Sequence, residues 1–210
     1  MKTVKLEQFQ SSPELYNETH RILNEGGLIC LPCNGTYRII ADLTNEDAVT
    51  RLFQSKHRVK KAPSLVFIDD FSMLDRVADD VCKQARELST LWPGPLTILF
   101  DLNKRLPSKI RKQLGKGKIG VRIPESDLMR QIVSMLGRPV LVSSANRERK
   151  AGAESPAQIR KNFNHQLDLF IDAGDLVREP SSTVVDLSGP LLTVTRKGAL
   201  EEQLLRDLLV

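Results

Sequence analysis

The chain has 210 residues, of which 40% are hydrophobic and 27% charged, and its formal net charge at pH 7 is +5. The length suffices for one large hydrophobic core or two small ones. No apolar run approaches the roughly 20 residues that a membrane-spanning helix needs, so the sequence predicts no membrane insertion. The positive charge favours anionic partners without identifying one.

Cysteine usage and the first residues predict a compartment. Cys30, Cys33 and Cys82 are three in number, so they cannot all pair within one chain. The first ten residues, MKTVKLEQFQ, lack the apolar centre of a secretory signal. Together these features predict a protein of the reducing cytoplasm.

Helices and strands are predicted to alternate along the first half of the chain. The first helix begins at Pro13, because Ser12 can cap it and proline fits a first turn, and Gly26-Gly27 ends it. The elements predicted next are a strand at 28–31, a turn at 32–35, extended structure at 37–41, a helix from Asn45, a strand at 65–68 and a helix over 81–91.

The second half is richer in predicted strands. The predicted strands are 96–102, 119–123, 140–142, 167–171, 183–187 and 191–194, and the predicted helices are 128–136, 156–163 and 200–209. The chain shows no repeat, no low-complexity linker and no break in composition. We therefore expect residues 1–210 to form a single α/β domain with a twisted mixed sheet and flanking helices.

Three short polar segments lie next to predicted strands or helix ends. They are Lys56-His57-Arg58, Ser144-Ala145-Asn146 and the run from Ser182 to Asp186, and Arg122 and Arg196 lie in or after strands. In open α/β sheets, ligands bind near strand ends. The segments offer cations and neutral donors, which suits an anion such as a polyphosphate or carboxylate. They do not suit hydrolysis by two carboxylates or by zinc.

Each segment also has a plain structural interpretation. Lys56 and Arg58 follow a helix, whose C-terminus attracts cations. Ser144 and Asn146 are turn formers, and Ser182 can simply precede a strand. The recurrence of cations and hydroxyls favours a binding site. A phosphate-binding P-loop is absent, since Gly115-Lys116-Gly117-Lys118 lacks its spacing.

Basic residues are concentrated in two stretches, 104–118 and 147–150. They predict either a solvated face near a cleft or a surface that binds RNA. Aromatic residues make up only 5% of the chain and do not alternate with the basic ones. Recognition of single-stranded bases by stacking is therefore not favoured.

Taken in order, the segments resemble the YrdC-like family of threonylcarbamoyl-adenylate synthases, from about Gly26 to Ala199. The match depends on the order of many short motifs rather than on any single one. The motifs are Leu31-Pro32 with Tyr37, Ala41-Asp42, Lys56 and Arg58, Trp92 to Thr97, Val121 to Pro124, Ser143 to Asn146, Ser182 to Asp186, and Arg196 with Gly198.

The resemblance implies an α/β fold with a basic concave cleft, and a reaction that makes threonylcarbamoyl-adenylate and pyrophosphate from ATP, L-threonine and bicarbonate, with Mg²⁺. Other proteins would then transfer the threonylcarbamoyl group to tRNA. It implies that Lys56 and Arg58 are catalytic and bind the ATP phosphates and the carbamate, and that Asn146 and Arg196 also bind ATP. The residues implied to contact threonine or its carbamate are Arg122, Ser144, Ser182 and Thr36.

Three positions depart from the family pattern. A family threonine that meets the amino acid is Gly35 here, a family glycine is Arg38, and a family histidine is Phe67. One expectation is that the reaction is kept, with Thr36 or Asn34 supplying the missing polar contact. The alternative is a catalytically altered or inactive paralogue that binds nucleotide or double-stranded RNA.

Overall fold

The computed structural model describes residues 1–56, 63–115, 117–146, 153–187, 189 and 191–209. Its strands are Lys2–Lys5 (β1), Ile29–Cys33 (β2), Thr36–Asp42 (β3), Ser64–Phe67 (β4), Ala78–Asp79 (β5), Leu96–Leu102 (β6), Lys118–Arg122 (β7), Val140–Ser144 (β8), Leu169–Asp172 (β9), Thr183–Asp186 (β10) and Thr193–Arg196 (β11).

The helices cover the predicted positions and add two more. They are Leu6–Gln10 (α1), Pro13–Asn24 (α2), Glu46–Lys56 (α3), Lys83–Leu88 (α4), Ser108–Leu114 (α5), Asp127–Leu136 (α6), Pro156–Phe163 (α7) and Glu202–Asp207 (α8), with 3-10 helices at Phe71–Arg76 and Ser89–Leu91. In the part of the chain that is described, no helix is long and apolar enough to cross a membrane.

The strands form one mixed sheet in the order β1-β9-β2-β3-β8-β4-β7-β6-β10-β11, and β5 pairs with β6. This confirms the predicted mixed α/β architecture. Strands β3, β8 and β4 are antiparallel neighbours, whereas β4 and β7 are parallel. Residues far apart in sequence therefore lie side by side, as Arg38 does with Ser144 and Phe67 with Arg122.

Several predicted boundaries were wrong. The strand β1 and the helix α5 were not predicted, because each buries only one or two apolar residues: Val4 in β1, and Ile110 and Leu114 in α5. The helix expected over 81–91 is only Lys83–Leu88, followed by a 3-10 turn. Strand β11 runs to Arg196 and not to Val194, so Arg196 is the last residue of a strand paired with β10.

A tight turn joins β2 to β3. Cys33 pairs with Thr36, and the two residues between them, Asn34 and Gly35, have φ of +49° and +65°. Positive φ at both central residues is the pattern of a type I′ hairpin, for which Asn-Gly is the preferred sequence. A β-branched residue at position 35 would be strained in this conformation.

The segment of residues 173–182 follows β9 and packs against this turn. Tyr37 fixes its beginning, because the phenol oxygen accepts a hydrogen bond from Ala173 N at 2.8 Å and donates one to Gly174 O at 2.7 Å. Burial raises the pKa of Tyr37 to about 12, so the hydroxyl stays protonated and can donate. A Cβ at Gly35 would lie 2.5 Å from Val177 O and 2.5 Å from Glu179 N.

Asp172 ends β9 and ties three elements together. Its side chain is 2% exposed and forms ion pairs with Lys5 at 3.1 Å and Arg160 at 3.0 Å. It also accepts a hydrogen bond from Gly174 N at 2.9 Å. Burial raises the pKa of this carboxyl, but the hydrogen bonds from Gly174, Arg160 and Lys5 outweigh burial and leave the pKa below its ordinary value of 3.8. The charged form therefore stabilises the fold.

We expect Asp172→Asn to lower the free energy of unfolding at pH 7 by about 1–3 kcal/mol, because it removes a charged acceptor from a buried site. Because the pKa of Asp172 is lower in the folded than in the unfolded chain, its carboxylate stabilises the fold at pH values above the unfolded pKa of about 3.9. That stabilisation is lost as the pH falls through the folded-state pKa. Urea titrations should therefore show the wild-type advantage at pH 7 shrinking below about pH 4.

Asp175→Asn is the control, since Asp175 is exposed three residues further along the same segment. Its free energy of unfolding should stay within about 0.5 kcal/mol of the wild type. A wild-type advantage over Asp172→Asn that is the same at pH 3 and pH 7 would contradict the assigned role of the carboxylate.

Gly35 and Gly137 allow a matched comparison, because both have φ of +65°, yet a Cβ at Gly137 would meet nothing within 4 Å. We expect Gly137→Ala to cost about 1–2 kcal/mol from backbone conformation alone. Gly35→Ala should cost a further 1–3 kcal/mol, roughly, because it also displaces the 173–182 segment. Equal losses in denaturant unfolding would show that the close packing at Gly35 is unimportant.

Candidate functional site

A cavity of about 510 Å³ opens on one face of the sheet. Residues of five strands, β3, β4, β7, β8 and β11, line it. Alternate residues of a strand point to the same face of the sheet, so each of these strands presents a side chain to the cavity. Its lining is rich in arginines and hydroxyls. The lining residues are Asn34, Thr36, Arg38, Leu65, Arg122, Ser144, Asn146, Ala153, Glu154, Arg178, Glu179, Pro180, Ser181, Ser182 and Arg196.

Two of the predicted polar segments meet at one edge of this cavity. Lys56, the last residue of α3, is buried, and its ammonium donates to Ser144 O. The same Nζ atom lies 3.2 Å from Asn146 Oδ1, and Ser144 Oγ donates to that oxygen at 2.5 Å. The end of α3 is thus joined to the loop after β8. His57 and Arg58 lie outside the described residues.

The third segment is joined to the last strand. The guanidinium of Arg196 donates from Nη2 to Ser182 O at 2.8 Å and to Ser182 Oγ at 2.9 Å. Ser182 Oγ also lies 2.9 Å from Thr97 Oγ1 on β6. Ser182 is 5% exposed, so its hydroxyl is held by neighbours on both sides. The position and orientation of the Ser182 hydroxyl therefore depend on Arg196.

Arg122 is buried at the end of β7, with 5% exposure. Its Nε atom donates to Gly94 O at 2.7 Å, and its Nη2 atom lies 3.6 Å from Glu125 and 3.5 Å from Asn34 Oδ1. Gly94 N in turn donates to Ile123 O at 3.0 Å. Burial lowers the pKa of Arg122, and the acceptors offset part of the cost of burying its charge.

Arg38 enters the cavity from β3, where it is the one residue of the strand that is not buried. Its Nε atom is inaccessible to solvent and has no hydrogen-bond partner. Burial, Arg196 and Arg178 lower the pKa of Arg38, while Cys33 and Glu154 act in the opposite direction. Reasoning from sequence noted Arg38 only as a departure from the family pattern, and the structure gives it a central position.

The 173–182 segment supplies lining residues that were not predicted. Arg178 and Glu179 belong to it, and Arg178 lies 3.6 Å from Glu154, which also lines the cavity. Leu176 N donates to Glu154 O at 2.9 Å, so the backbone holds this contact as well. The charged residues Arg178 and Glu179 before Pro180 are visible in the sequence. No local pattern, however, predicts that they lie opposite the β2–β3 turn.

Of the residues that depart from the family pattern, Gly35 is explained by the shape of its turn, whereas Phe67 lies away from the cavity lining. Gly35 is required by its positive φ and by the close backbone of residues 177–179, so a threonine there does not fit this turn. Phe67 is 1% exposed in the core and is not among the lining residues. Thr36 does line the cavity, and its hydroxyl donates weakly to Cys33 O at 3.5 Å.

A second hollow of about 520 Å³ adjoins the cavity and shares Leu65 and Arg196 with it. Leu65 and Leu99 make its surface partly apolar. At Gly120 a Cβ would lie 3.0 Å from Thr97 Cγ2, so the glycine keeps this part of the sheet surface open. An ion pair between Lys118 and Asp186 lies at its edge. The hollow therefore combines apolar surface with a charged edge.

Acidic and basic groups elsewhere do not extend the site. Within the described ranges, no group of three or more His, Cys, Asp or Glu side chains could hold a metal ion. Three basic residues of the 104–118 stretch, Lys104, Arg111 and Lys112, line a separate hollow together with Asp79, Asp80 and Asp101. Lys109 of the same stretch pairs with Glu46 at 3.3 Å. RNA binding by this stretch stays a prediction.

Comparisons with known proteins relate the whole fold to one family. The threonylcarbamoyl-AMP synthase of Pyrococcus abyssi is 28% identical over 179 residues, which are 85% of this chain and 52% of that protein. This chain thus spans about half the length of that relative. The crystal structure of P. abyssi Sua5 complexed with L-threonine has a TM-score of 0.85 at 25% identity and covers 99% of this chain and 60% of its own.

A second solved structure matches over nearly its full length. The crystal structure of Escherichia coli YciO has a TM-score of 0.78 at 25% identity, covering 90% of this chain and 92% of its own. The family model for Sua5, YciO and YrdC, described as "Telomere recombination", matches residues 21–198. The chain therefore belongs to the Sua5/YciO/YrdC family, as its ordered motifs predicted.

Proposed function

We propose that this chain makes threonylcarbamoyl-AMP and pyrophosphate from ATP, L-threonine and bicarbonate. The observation that carries the proposal is the convergence of Arg122, Arg196 and the loop of Ser144 and Asn146 on one cavity, with Lys56 bonded to that loop. The relatives named above support the reaction, since one is named a threonylcarbamoyl-AMP synthase and one was crystallised with L-threonine.

The reaction requires that two anions meet. Threonine's amine and bicarbonate form a carbamate and water, a carbamate oxygen attacks the α-phosphorus of ATP, and the bond to pyrophosphate breaks. Two unit charges 4 Å apart repel by about 4 kcal/mol at an effective dielectric constant of 20. Fixed cations around the reacting atoms offset this repulsion and stabilise charge in the transition state. No protein nucleophile is needed, so catalysis consists of positioning and electrostatics.

In this proposal Lys56 and Arg58 bind the phosphates and the carbamate. Lys56 has a role even without ligand, because its ammonium is held by Ser144 O and Asn146 Oδ1. When a phosphate enters, the ammonium can turn toward it while the Ser144–Asn146 hydrogen bond keeps the loop in position. The position of Arg58 is outside the described residues, so its role depends on the family motif alone.

Asn146 and Arg196 would contact the nucleotide. Arg196 lies between the cavity and the partly apolar hollow that contains Leu65 and Leu99. An adenine ring in that hollow would bury apolar surface, which is favourable by about 25 cal/mol per Å². The sugar and phosphates would then extend past Arg196 toward Lys56.

Arg122, Ser144, Ser182 and Thr36 would bind the threonine and carbamate end. Arg122 is suited to a carboxylate because its guanidinium is fixed by Gly94 O. The hydrogen bonds between Arg196 and Ser182 would couple nucleotide binding to amino-acid binding. Thr36 or Asn34 would supply the polar contact that Gly35 lacks.

Mg²⁺ would enter with ATP. The carboxylates beside the cavity are Glu154, Glu179 and Glu125, and two of these pair with arginines. Because few carboxylates are left for a metal, they fit a Mg²⁺ ion held mainly by the phosphate oxygens of ATP. The ion would neutralise part of the charge of the phosphates. The product would pass to the proteins that transfer the threonylcarbamoyl group to tRNA.

A second candidate is the same chemistry on another amino acid. Two observations favour it: the Asn34-Gly35 turn leaves no side chain at position 35, and Arg38 adds a cation to the cavity. Both changes lie near the residues proposed for the amino acid, whereas Lys56, Asn146 and Arg196 match the family motifs.

Pyrophosphate release from ATP separates these candidates from a binding protein. We expect release to depend on both an amino acid and bicarbonate, because the carbamate is the attacking group. L-threonine is tested first, followed by the other amino acids. Release that needs no amino acid, or no release with any amino acid, would contradict the proposed reaction.

Arg122→Met should raise the KM for the amino acid about 10- to 100-fold, because one charge-assisted hydrogen bond contributes about 1.5–3 kcal/mol. The KM for ATP should change much less. Arg122→Lys, measured beside it, should recover part of the loss while keeping the charge. Arg76→Met is the control, since Arg76 is exposed and bonds to Gly137 O away from the cavity. An unchanged amino-acid KM would exclude Arg122 from that end.

A further inference from the structure

The hydroxyl of Ser182 is held by neighbours that fix the direction of its hydrogen bonds. Ser182 is 5% exposed and lines the cavity of about 510 Å³. A guanidinium carries donors and no acceptor, so Arg196 Nη2 donates to Ser182 Oγ across their 2.9 Å contact. This bond occupies one of the two acceptor lone pairs of the serine oxygen.

Thr97 is the second neighbour of that oxygen. The parallel pairing of β6 with β10 brings the two hydroxyls together, and Thr97 Oγ1 lies 2.9 Å from Ser182 Oγ. The distance alone allows either hydroxyl to donate. Thr97 is 4% exposed, however, and its hydroxyl has no other hydrogen-bond partner among the described residues. If Ser182 donated to it, the Thr97 hydrogen would lack an acceptor, which is unfavourable for a buried hydroxyl.

Donation from Thr97 to Ser182 satisfies both hydroxyls, because the serine hydrogen can then turn into the cavity. With Arg196 and Thr97 both donating, the serine oxygen accepts two hydrogen bonds and has no lone pair left for a substrate. Ser182 can therefore only donate to a bound molecule. Its partner must be an acceptor, which excludes an ammonium or another N–H group at this position.

We propose that Thr97 is a positioning residue, which acts through Ser182 and makes this hydroxyl donate to an anionic oxygen of a substrate. The inference rests on the proposed reaction, in which two substrates supply such oxygens: threonine through its carboxylate or carbamate, and ATP through its phosphates. A hydrogen bond to a charged acceptor is about twice as strong as one between neutral groups. Thr97 and Arg196 strengthen it further, because donors that bond to one hydroxyl polarise it.

Thr97→Val tests this role, because valine keeps the shape of threonine and removes the donor. In steady-state pyrophosphate release, we expect the KM for threonine or for ATP to rise about 2- to 10-fold, the effect of one hydrogen bond between neutral groups. The substrate whose KM rises more supplies the oxygen. Thr97→Ser keeps the donor and should stay near the wild-type values. Unchanged KM values for both substrates in Thr97→Val would overturn the proposal.

A double-mutant cycle with Ser182→Ala distinguishes a positioning role from a general loss of structure. Because Thr97 acts through Ser182, adding Thr97→Val to Ser182→Ala should change the KM by less than about 2-fold. Effects that multiply in the double variant would show that Thr97 acts independently of Ser182, and the proposal would be wrong. Thr19→Val is the control and should keep the wild-type KM values, since Thr19 is also a buried threonine but donates to Leu15 O within α2.

Calorimetry keeps this test separate from the proposed reaction. Wild type and Thr97→Val are titrated with threonine in the presence of bicarbonate, and with a non-hydrolysable ATP analogue. Binding that is about 2- to 10-fold weaker in Thr97→Val, in a protein that releases no pyrophosphate, would support the role of Thr97 and contradict the reaction. Equal binding of both ligands by the two proteins, or no binding of either ligand by the wild type, would contradict the role of Thr97 even if pyrophosphate is released.

Discussion

The site is constrained by the concentration of positive charge on one face of the sheet. Four arginines line a single cavity against two glutamates, and Lys56 lies directly behind the loop of Ser144 and Asn146. Like charges at this density repel and lose hydration, and fixed acceptors offset this cost for Arg122, Arg178, Arg196 and Lys56. Backbone carbonyls provide most of them, at Gly94, Ser182 and Ser144.

This use of backbone carbonyls explains the shape of the surrounding chain. The segment from Trp92 to Leu96 turns so that Gly94 O meets Arg122, and the Trp92 indole fixes the turn by donating to Leu96 O at 2.8 Å. A Cβ at Gly94 would lie 2.0 Å from Leu91 O, so a larger residue would disrupt it. The motif from Trp92 to Thr97 thus positions the backbone carbonyl that accepts a hydrogen bond from Arg122.

The opposite side of the cavity depends on close backbone packing. The Asn34-Gly35 turn lets residues 177–179 approach so closely that no side chain fits at position 35. Tyr37 and Asp172 hold the beginning of the same segment through hydrogen bonds to Ala173 and Gly174. In the proposed reaction, specificity for the amino acid would therefore depend on this segment as well as on the side chains that the family motif predicts.

Part of the fold followed from local pattern and part did not. The helix at Pro13–Asn24 and the helix at Asp127–Leu136 have caps and apolar spacing that are visible in the sequence, and both were predicted. Strand β1 was missed because an edge strand that pairs only with β9 and buries only Val4 has no repeating pattern. The predicted bounds of β11 were wrong because all four of its residues are partly or fully exposed, so the strand shows no alternation of buried and exposed positions.

By itself the sequence determined the family, the mixed α/β architecture and the polar side chains at the ends of strands and helices. These follow from local spacing and from the order of short motifs. Only the tertiary structure decided that Ser144 faces Arg38, that Arg196 holds Ser182, and that Phe67 belongs to the core. Strand order and the path of residues 173–182 set those contacts, and both arise from packing between segments far apart in the chain.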